Sequence, residues 1–172
     1  GGLTTIEITL RTPAALGAIE AIAHNRPEIC VGAGTVLGPD NAKAAKEAGA
    51  SFAVSPGATA RLIDGCAGVG LPLLPGAASL SEIMLLLEAG FTAVKFFPAM
   101  AAGGPSFVKS MASPLPQVTV CPTGGITAAS APDWLSLPNV RCLGGSWVAP
   151  QGLIAEGDFA AIKKLAAQAA SL

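Results

Sequence analysis

The chain has 172 residues, of which 51% are apolar and only 12% are charged, so one compact domain with a large core is expected over residues 1–172. Its net charge of -1 and the scattered positions of its ten Lys and Arg residues argue against binding to nucleic acid or to an anionic membrane surface. Gly, Pro or a charged residue interrupts every apolar stretch, and no basic leader stands before an apolar segment. We therefore expect a cytoplasmic protein without membrane spans, whose partners are small molecules or its own copies.

The cysteines and the single histidine give no support for a metal site. Cys30, Cys66, Cys121 and Cys142 lie far apart without CxxC spacing, and three of them fall in apolar, strand-like runs. We expect buried thiols at these positions. His24 stands near a predicted helix end, and no pair of His, Cys or Asp has the spacing of metal ligands, so no metal cofactor is expected.

Short β-branched or apolar runs alternate along the chain with Ala-rich segments of helical character. This alternation is typical of parallel strands joined by helices. Seven runs are predicted as strands, and in chain order they cover residues 4–10, 30–36, 51–56, 72–76, 93–98, 118–124 and 140–146.

Helix boundaries are marked between these runs. Thr12 followed by Pro13 predicts a helix that begins with a threonine cap and proline in the first helical position, and the stretch SLSE at 79–82 predicts a capping box. Gly49 and Gly90 each follow a helical segment and precede a strand, where glycine can adopt the left-handed conformation that ends a helix. The same strand–helix unit is therefore used repeatedly.

Gly, Pro, Thr and Ser cluster where the predicted strands end, which is the face of a (β/α)8 TIM barrel that carries the active site. A doubly wound open sheet shows the same alternation, but its ligand crevice forms at one switch point, so the α/β barrel is favoured. Seven strands are one fewer than this barrel needs, and the chain begins just before a predicted strand. We expect that a first βα unit of about 30 residues is absent.

The alternation of side chains along two strands predicts charged groups inside the barrel. Glu7 and Arg11 share one face of the first run, and Lys95 and Phe97 share one face of the fifth. Because helices cover the outside of a barrel, the polar face of each strand should point into the lumen.

A lysine in the lumen has two interpretations. It can form a buried ion pair with Glu7, which is costly in free energy. Alternatively, desolvation disfavours the ammonium form of Lys95, so that its free amine can attack a carbonyl, with Glu7 as the partner in proton transfer. The two roles are compatible, because a group that exchanges protons with the amine must lie near it.

Two further residues and two glycine-containing stretches suggest binding of an anionic substrate. Arg11 can bind a substrate carboxylate with two hydrogen bonds, helped by the hydroxyl of Thr35, or it can be a solvated or ion-paired surface charge. The glycine pairs in Thr123-Gly124-Gly125 and Gly144-Gly145-Ser146 end two strands where barrels often bind phosphate through backbone amides. The alternative for both pairs is a tight turn that needs glycine for its conformation.

Six stretches, in this order and at these separations, resemble the family of 2-keto-3-deoxy-6-phosphogluconate (KDPG) aldolases, class I enzymes that often also cleave 4-hydroxy-2-oxoglutarate (KHG). The stretches cover essentially the whole chain: IEITLRT (6–12), VGAGTVL (31–37), AVSPG (53–57), KFFPA (95–99), CPTGGI (121–126) and LGGSW (143–147).

The resemblance implies a metal-free homotrimer of (β/α)8 barrels that cleaves a phosphorylated 2-keto acid, KDPG, to pyruvate and glyceraldehyde 3-phosphate in the Entner-Doudoroff pathway. It implies that Lys95 is the Schiff-base lysine, Glu7 the general acid and base, and Arg11 the ligand of the substrate carboxylate. By the same matching, the pocket would be lined by Thr35, Pro56, Phe97 and Thr123, and the phosphate would be held by Gly124, Gly125, Gly145 and Ser146. Related phosphogalactonate aldolases have an apolar residue in place of Thr123, so the threonine favours the gluconate substrate.

Two other functions are consistent with parts of the pattern. A barrel enzyme similar to thiamine-phosphate synthase would use the glycine-pair phosphate site without a Schiff base, leaving Lys95 as an ion-pair partner. A truncated, non-catalytic phosphate-binding domain would instead pair its open sheet edge with a partner.

Overall fold

A computed structural model of the chain describes all residues 1–172. Seven short strands alternate with eight helices: β1 (Thr5–Thr9), α1 (Ala15–Asn25), β2 (Cys30–Gly34), α2 (Pro39–Glu47), β3 (Phe52–Val54), α3 (Ala60–Gly68), β4 (Leu73–Leu74), β5 (Gly76–Ala77), α4 (Leu80–Glu88), β6 (Ala93–Phe96), α5 (Gly104–Met111), β7 (Thr119–Pro122), α6 (Ala131–Leu135), α7 (Gln151–Glu156) and α8 (Phe159–Ala169). The chain forms two compact units, one of residues 4–97 and one of residues 1–3 and 98–172.

The unit of residues 4–97 is built on parallel strands. β1, β2, β3 and β4 pair in sequence order, with Glu7 opposite Gly32 and Ala53 opposite Leu73. β5 pairs in parallel with β6, where Gly76 lies opposite Lys95. The predicted strand 72–76 is therefore two short strands, because Pro75 between them has no N–H with which to continue the ladder.

The core of this unit lies between the sheet and its helices. Ile19 of α1 and Leu62 of α3 are buried against strand residues such as Val31 and Ala33. Small residues allow close approach, since a Cβ at Gly32 would overlap the ring of Phe52. This tight packing holds the strand ends that carry the predicted site residues.

Three of the predicted helix boundaries are confirmed. The Ser79 hydroxyl accepts a 3.3 Å hydrogen bond from the Glu82 amide, and the Glu82 carboxylate accepts one of 2.7 Å from the Ala78 amide, which lowers the pKa of Glu82. Gly49 and Gly90 follow α2 and α4 with φ of 91° and 89°, the left-handed conformation expected of them.

The predicted helix start at Thr12 and Pro13 is wrong. Helix α1 begins at Ala15, and no side chain caps it. The Thr12 carbonyl accepts a 3.1 Å hydrogen bond from the Ala15 amide in a turn, so Pro13 lies within that turn and not in the first helical position.

The unit that contains residues 98–172 has a core of its own around Trp134, Val108 and Val120, which are all buried. The predicted strand 140–146 is wrong, because only two isolated parallel bridges form, between Val120 and Val140 and between Thr123 and Gly144. Between these bridges β7 has two residues and the other segment has three, and this mismatch interrupts the ladder.

The expectation of buried thiols holds for only part of the set. Cys66 is buried and Cys121 is half-buried, but Cys30 and Cys142 are exposed, so the expectation is wrong for these two. Cys30 is the first residue of β2, and Cys142 lies in the segment that does not form a regular strand. Apolar neighbours in sequence do not bury a thiol at a strand end.

The helices are short, and the longest, α1 and α8, have 11 residues each. None of them is long and apolar enough to cross a membrane.

Candidate active site

The unit of residues 4–97 contains a buried lysine and a carboxylate side by side. Lys95 of β6 is only 6% exposed, and its Nζ lies 3.9 Å from Oε1 of Glu7 on β1. The Glu7 side chain is 27% exposed, so the pair is closed on the lysine side and partly open on the glutamate side. A separation of 3.9 Å allows strong electrostatic attraction but is too long for a direct hydrogen bond.

The aromatic ring of Phe97 completes the surroundings of the lysine. The Nζ of Lys95 lies 5.2 Å from the centroid of that ring, within the range of a cation–π interaction. The backbone is held on both sides, since the Lys95 amide donates to the Pro75 carbonyl at 2.8 Å and the Phe97 amide to the Ala77 carbonyl at 3.1 Å. The β5–β6 pairing therefore fixes the backbone from which the amine extends.

Glu7 is positioned by a glycine on the neighbouring strand. Gly34 ends β2, and a Cβ added there would overlap the Glu7 carboxylate. Reasoning from sequence assigned no role toward Glu7 to Gly34. The signal was present in two glycines, Gly32 and Gly34, spaced two residues apart on a strand that pairs with the strand of Glu7.

Thr35, directly after Gly34, has a strained backbone. Its φ of 59° makes it the one residue other than glycine in the left-handed region. A β-branched side chain is disfavoured there, and such strain is found mostly at functional sites. Thr35 is half-buried and immediately follows the glycine that contacts Glu7.

Pro56 lies where β3 meets β5. A Cβ at Gly76 would overlap the backbone of Pro56, and the buried hydroxyl of Ser55 accepts a 3.3 Å hydrogen bond from the Gly76 amide. Because Gly76 lies opposite Lys95, this contact supports the strand that holds the lysine. Reasoning from sequence did not identify Ser55, since a serine before a proline suggests only a turn.

Arg11 lies in the turn after β1, and its backbone amide donates to the Thr9 carbonyl at 2.8 Å. Its side chain is exposed and forms no ion pair with any carboxylate of the chain. The guanidinium is therefore available to an anion from outside the chain.

The unit that contains residues 98–172 presents a second group of predicted site residues. Gly124 and Gly125 both have positive φ, at 103° and 77°. The carbonyls of Thr123 and Gly124 accept hydrogen bonds from Ala99 and Met100 at 2.8 and 3.1 Å, which fixes this turn after β7.

The segment beside β7 brings Gly145 and Ser146 next to the same turn, through the bridge between Thr123 and Gly144. A Cβ at Gly145 would overlap the ring of Trp147, so only glycine fits there. The backbone amides of Gly124, Gly125, Gly145 and Ser146 donate no hydrogen bond within the chain. Four free amides in two glycine-containing turns are suited to bind an oxyanion such as phosphate.

No group of three His, Cys, Asp or Glu side chains lies close enough together to hold a metal ion. The chemically distinctive groups are thus the buried amine with its carboxylate in one unit and the free amides in the other.

Residues 1–165 match the family model of KDPG and KHG aldolase. The chain is 46% identical over 169 residues to 2-dehydro-3-deoxy-phosphogluconate aldolase of Pseudomonas aeruginosa, covering 98% of this chain and 77% of the relative. It is 47% identical over 169 residues to the KHG/KDPG aldolase of Escherichia coli, covering 98% of this chain and 79% of the relative. Its structure matches KDPG aldolase of Legionella pneumophila, in which pyruvate was captured as a covalent carbinolamine, with a TM-score of 0.92 and 43% identity over 95% of this chain and 80% of that one.

These similarities confirm two predictions from the sequence, an α/β fold of the TIM-barrel type and a class I aldolase that works through a Schiff base. The chain belongs to the KDPG and KHG aldolase family.

Proposed function

We propose that this chain cleaves KDPG to pyruvate and glyceraldehyde 3-phosphate through a Schiff base on Lys95. The observation that carries this assignment is the buried amine of Lys95, 3.9 Å from a carboxylate and beside an aromatic ring, in a chain of this family. A lysine enclosed in this way is shielded from water and can act as a nucleophile toward a ketone.

The Lys95 amine attacks the C2 ketone of the substrate and forms a carbinolamine, and loss of water then gives an iminium ion. The iminium accepts the electron pair of the C3–C4 bond as that bond breaks. The products of this step are glyceraldehyde 3-phosphate and an enamine on Lys95. Protonation of C3 and hydrolysis of the imine release pyruvate and restore the free amine.

Glu7 moves the protons in this scheme. It takes the proton of the C4 hydroxyl as the C3–C4 bond breaks, directly or through water. The gap of 3.9 Å between Glu7 and Lys95 can be bridged by one oxygen atom of the substrate or of water. A positioned general base of this kind contributes about 10²- to 10⁴-fold in rate.

The remaining site residues hold the substrate. We assign the exposed, unpaired guanidinium of Arg11 to the substrate carboxylate, because a guanidinium can donate two parallel hydrogen bonds to it. Further substrate contacts are assigned to Thr35, Pro56, Phe97 and Thr123. The phosphate is assigned to the free amides of Gly124, Gly125, Gly145 and Ser146, together with the hydroxyl of Ser146.

KHG, which carries no phosphate, is proposed as a second substrate. The family model carries both substrate names, and the Escherichia coli relative is named for both activities. The Schiff-base chemistry at Lys95 needs only the 2-keto acid portion, which KDPG and KHG share. A role in the Entner-Doudoroff pathway and a location in the cytoplasm follow as proposals from the same assignment.

Trapping of the covalent intermediate tests the assignment directly. Borohydride added in the presence of pyruvate should reduce the imine and leave a stable adduct on Lys95, detected by peptide mass analysis. Lys95→Ala should lose both the adduct and turnover, and Glu7→Gln should lower kcat by about 10²- to 10⁴-fold because proton transfer is lost.

The matched control is the pair formed by Lys43 and Glu47, which has the same separation of 3.9 Å but side chains that are 69% and 67% exposed. Lys43→Ala and Glu47→Gln should leave adduct formation and kcat unchanged. Near-normal turnover by the Lys95→Ala protein would overturn the Schiff-base assignment.

Gly34→Ala tests the position of Glu7. The added methyl group would occupy the place of the Glu7 carboxylate, which must move while the backbone stays, because Gly34 does not have a positive φ. A displacement of about 1 Å at a catalytic group can cost about 10²-fold in rate, so a kcat lowered by roughly 10- to 100-fold is expected with an unchanged unfolding midpoint.

Gly38→Ala is the control for this variant, because a Cβ at Gly38 meets no atom within 4 Å. Its kcat should equal that of the unaltered chain. If Gly34→Ala also keeps full activity, the packing of Gly34 does not determine where Glu7 acts.

Ser146→Ala tests the phosphate assignment by comparing the two substrates. Loss of one hydroxyl hydrogen bond to a charged phosphate should raise KM for KDPG by about tenfold. KM for KHG should not change, because KHG has no phosphate. The control is Ser136→Ala, which removes a surface hydroxyl that donates to the Asp133 carbonyl at 2.8 Å and should change neither KM. Equal effects of Ser146→Ala on both substrates would contradict the assignment.

A homotrimer is proposed as the assembled state. Helix α4 exposes the apolar side chains of Leu80, Met84 and Leu85 by 38%, 52% and 65%, and a second copy of the chain could cover them. Sedimentation of the chain should give three times the mass of one chain, and Leu85→Glu should lower that mass. A species of one-chain mass at micromolar concentration would contradict the proposal.

A further inference from the structure

Two cysteines lie just before the turns that expose the free amides of Gly124, Gly125, Gly145 and Ser146. The proposed chemistry does not use either thiol. Cys121 belongs to β7, and Cys142 belongs to the segment that runs parallel beside it. Hydrogen bonds on both sides hold the two segments together, from the Val120 amide to the Asn139 carbonyl at 2.8 Å and from the Gly144 amide to the Pro122 carbonyl at 2.9 Å.

The irregular pairing of these segments brings the two thiols into contact. Between the bridges at Val120 and Thr123, β7 contributes two residues and the facing segment contributes three, with Cys142 in the middle of the three. The Cys121 thiol donates a hydrogen bond to the sulfur of Cys142. The bridges on either side keep the two segments paired, and paired strands lie about 4.8 Å apart, within the range of about 4.4–6.8 Å between Cα atoms that a disulfide requires.

The same contact activates one of the two thiols. The hydrogen bond from Cys121 lowers the pKa of Cys142 from 9.0 to about 7, although partial desolvation opposes the shift. At pH 7 about half of the Cys142 side chains are then thiolate, compared with about 1% for a thiol at its ordinary value. Cys142 is also exposed, whereas burial raises the pKa of the Cys66 thiol.

We propose that Cys121 and Cys142 are a reversible redox site that forms an intramolecular disulfide on reaction with hydrogen peroxide. The Cys142 thiolate attacks one peroxide oxygen, the O–O bond breaks, and hydroxide leaves, which produces a sulfenic acid on Cys142. The sulfur of Cys121 then loses its proton and attacks the sulfenic sulfur, so that the S–S bond forms, the S–O bond breaks and water leaves. Two thiols are oxidised by two electrons, the peroxide is reduced, and an added dithiol reverses the reaction.

The disulfide has a consequence for the neighbouring turns, and this consequence rests on the proposed function. Thr123 and Gly144 follow the two cysteines by two residues each, and a Cβ at Gly144 would overlap the Thr123 hydroxyl, so the segments have no free space there. A covalent S–S bond pulls the segments together just before the amides assigned to phosphate. Oxidation should therefore raise KM for KDPG by about threefold or more and leave KM for KHG unchanged.

The disulfide itself can be tested without any aldolase assay. The reduced chain is treated with equimolar hydrogen peroxide at pH 7, alkylated under denaturing conditions, and digested with trypsin, which cleaves after Arg141 and so separates the two cysteines. We expect peptides 110–141 and 142–163 to be joined, with the loss of two hydrogen atoms and with reversal by dithiothreitol. Cys30→Ser, which removes an exposed thiol with no thiol partner, should leave this product unchanged.

A pair of variants at Cys121 separates activation of Cys142 from the formation of the disulfide. Cys121→Val and Cys121→Ser should both abolish the joined peptides. Only Cys121→Val, which removes the hydrogen-bond donor, should slow alkylation of Cys142 by iodoacetamide at pH 7, by about fivefold once the higher nucleophilicity of the more basic thiolate is included.

Separate peptides after peroxide treatment, or a joined product that contains Cys30, would overturn the redox site whatever the enzyme does. Joined peptides with equal KM values before and after oxidation would retain the redox site and overturn its link to the phosphate amides. If the reduced chain turns over neither KDPG nor KHG, that result would instead count against the proposed function.

Discussion

The surrounding structure must bury the Lys95 amine and hold the Glu7 carboxylate next to it. A lysine that is only 6% exposed loses most of its hydration, and an opposite charge 3.9 Å away compensates for part of that loss. Removing one member of a buried pair commonly costs about 3–5 kcal/mol, and the partial exposure of Glu7 reduces that figure here. The open side of Glu7 leaves room for a third polar group, and this is the arrangement that a proton-transferring carboxylate needs.

Small residues make this contact possible. Gly34 leaves the space that the Glu7 carboxylate occupies, and Gly76 allows the backbone of Pro56 to approach the strand that pairs with Lys95. The hydroxyl of Ser55 accepts a hydrogen bond from the Gly76 amide, which stabilises this close contact. Pairing of β1 with β2 and of β5 with β6 then fixes the backbones from which the two charged side chains extend. The pair of Lys95 and Glu7 therefore depends on glycine packing that contributes no chemistry of its own.

The unit of residues 98–172 supplies polar groups of another kind. Its free donors are backbone amides, exposed by two glycine-containing turns that β7 and the neighbouring segment hold side by side. Such amides carry no charge and cannot titrate, so they can hold a phosphate at any physiological pH. The irregular register that brings these turns together also places Cys142 against Cys121, so a single mismatch of one residue underlies both features.

Much of the protein can be read from residue order alone. Alternating runs identify the parallel α/β fold, the capping box at 79–82 and the glycines at 49 and 90 mark helix boundaries, and strand parity predicts that Lys95 and Glu7 face each other, as their 3.9 Å separation bears out. These features depend on local preferences and on a period of two, both of which are present in the sequence itself. The same reasoning failed at residues 140–146, because the register of a strand depends on the segment that it pairs with. It also failed at Pro13, because the sequence does not reveal that a turn, closed by the hydrogen bond from the Ala15 amide to the Thr12 carbonyl, forms there in place of a helix.

Only the tertiary structure decided which residues support the site. Nothing in the sequence marks Gly34 as a site residue, because its role depends on having no Cβ where the Glu7 carboxylate lies. The exposure of Cys142 and its contact with Cys121 depend on how two segments 21 residues apart are aligned, as the bridge from Thr123 to Gly144 records. The sequence by itself determined the types of chemical group and the faces on which they lie. Their separations were decided by packing between strands, because distances across a sheet depend on side chains that are distant along the chain.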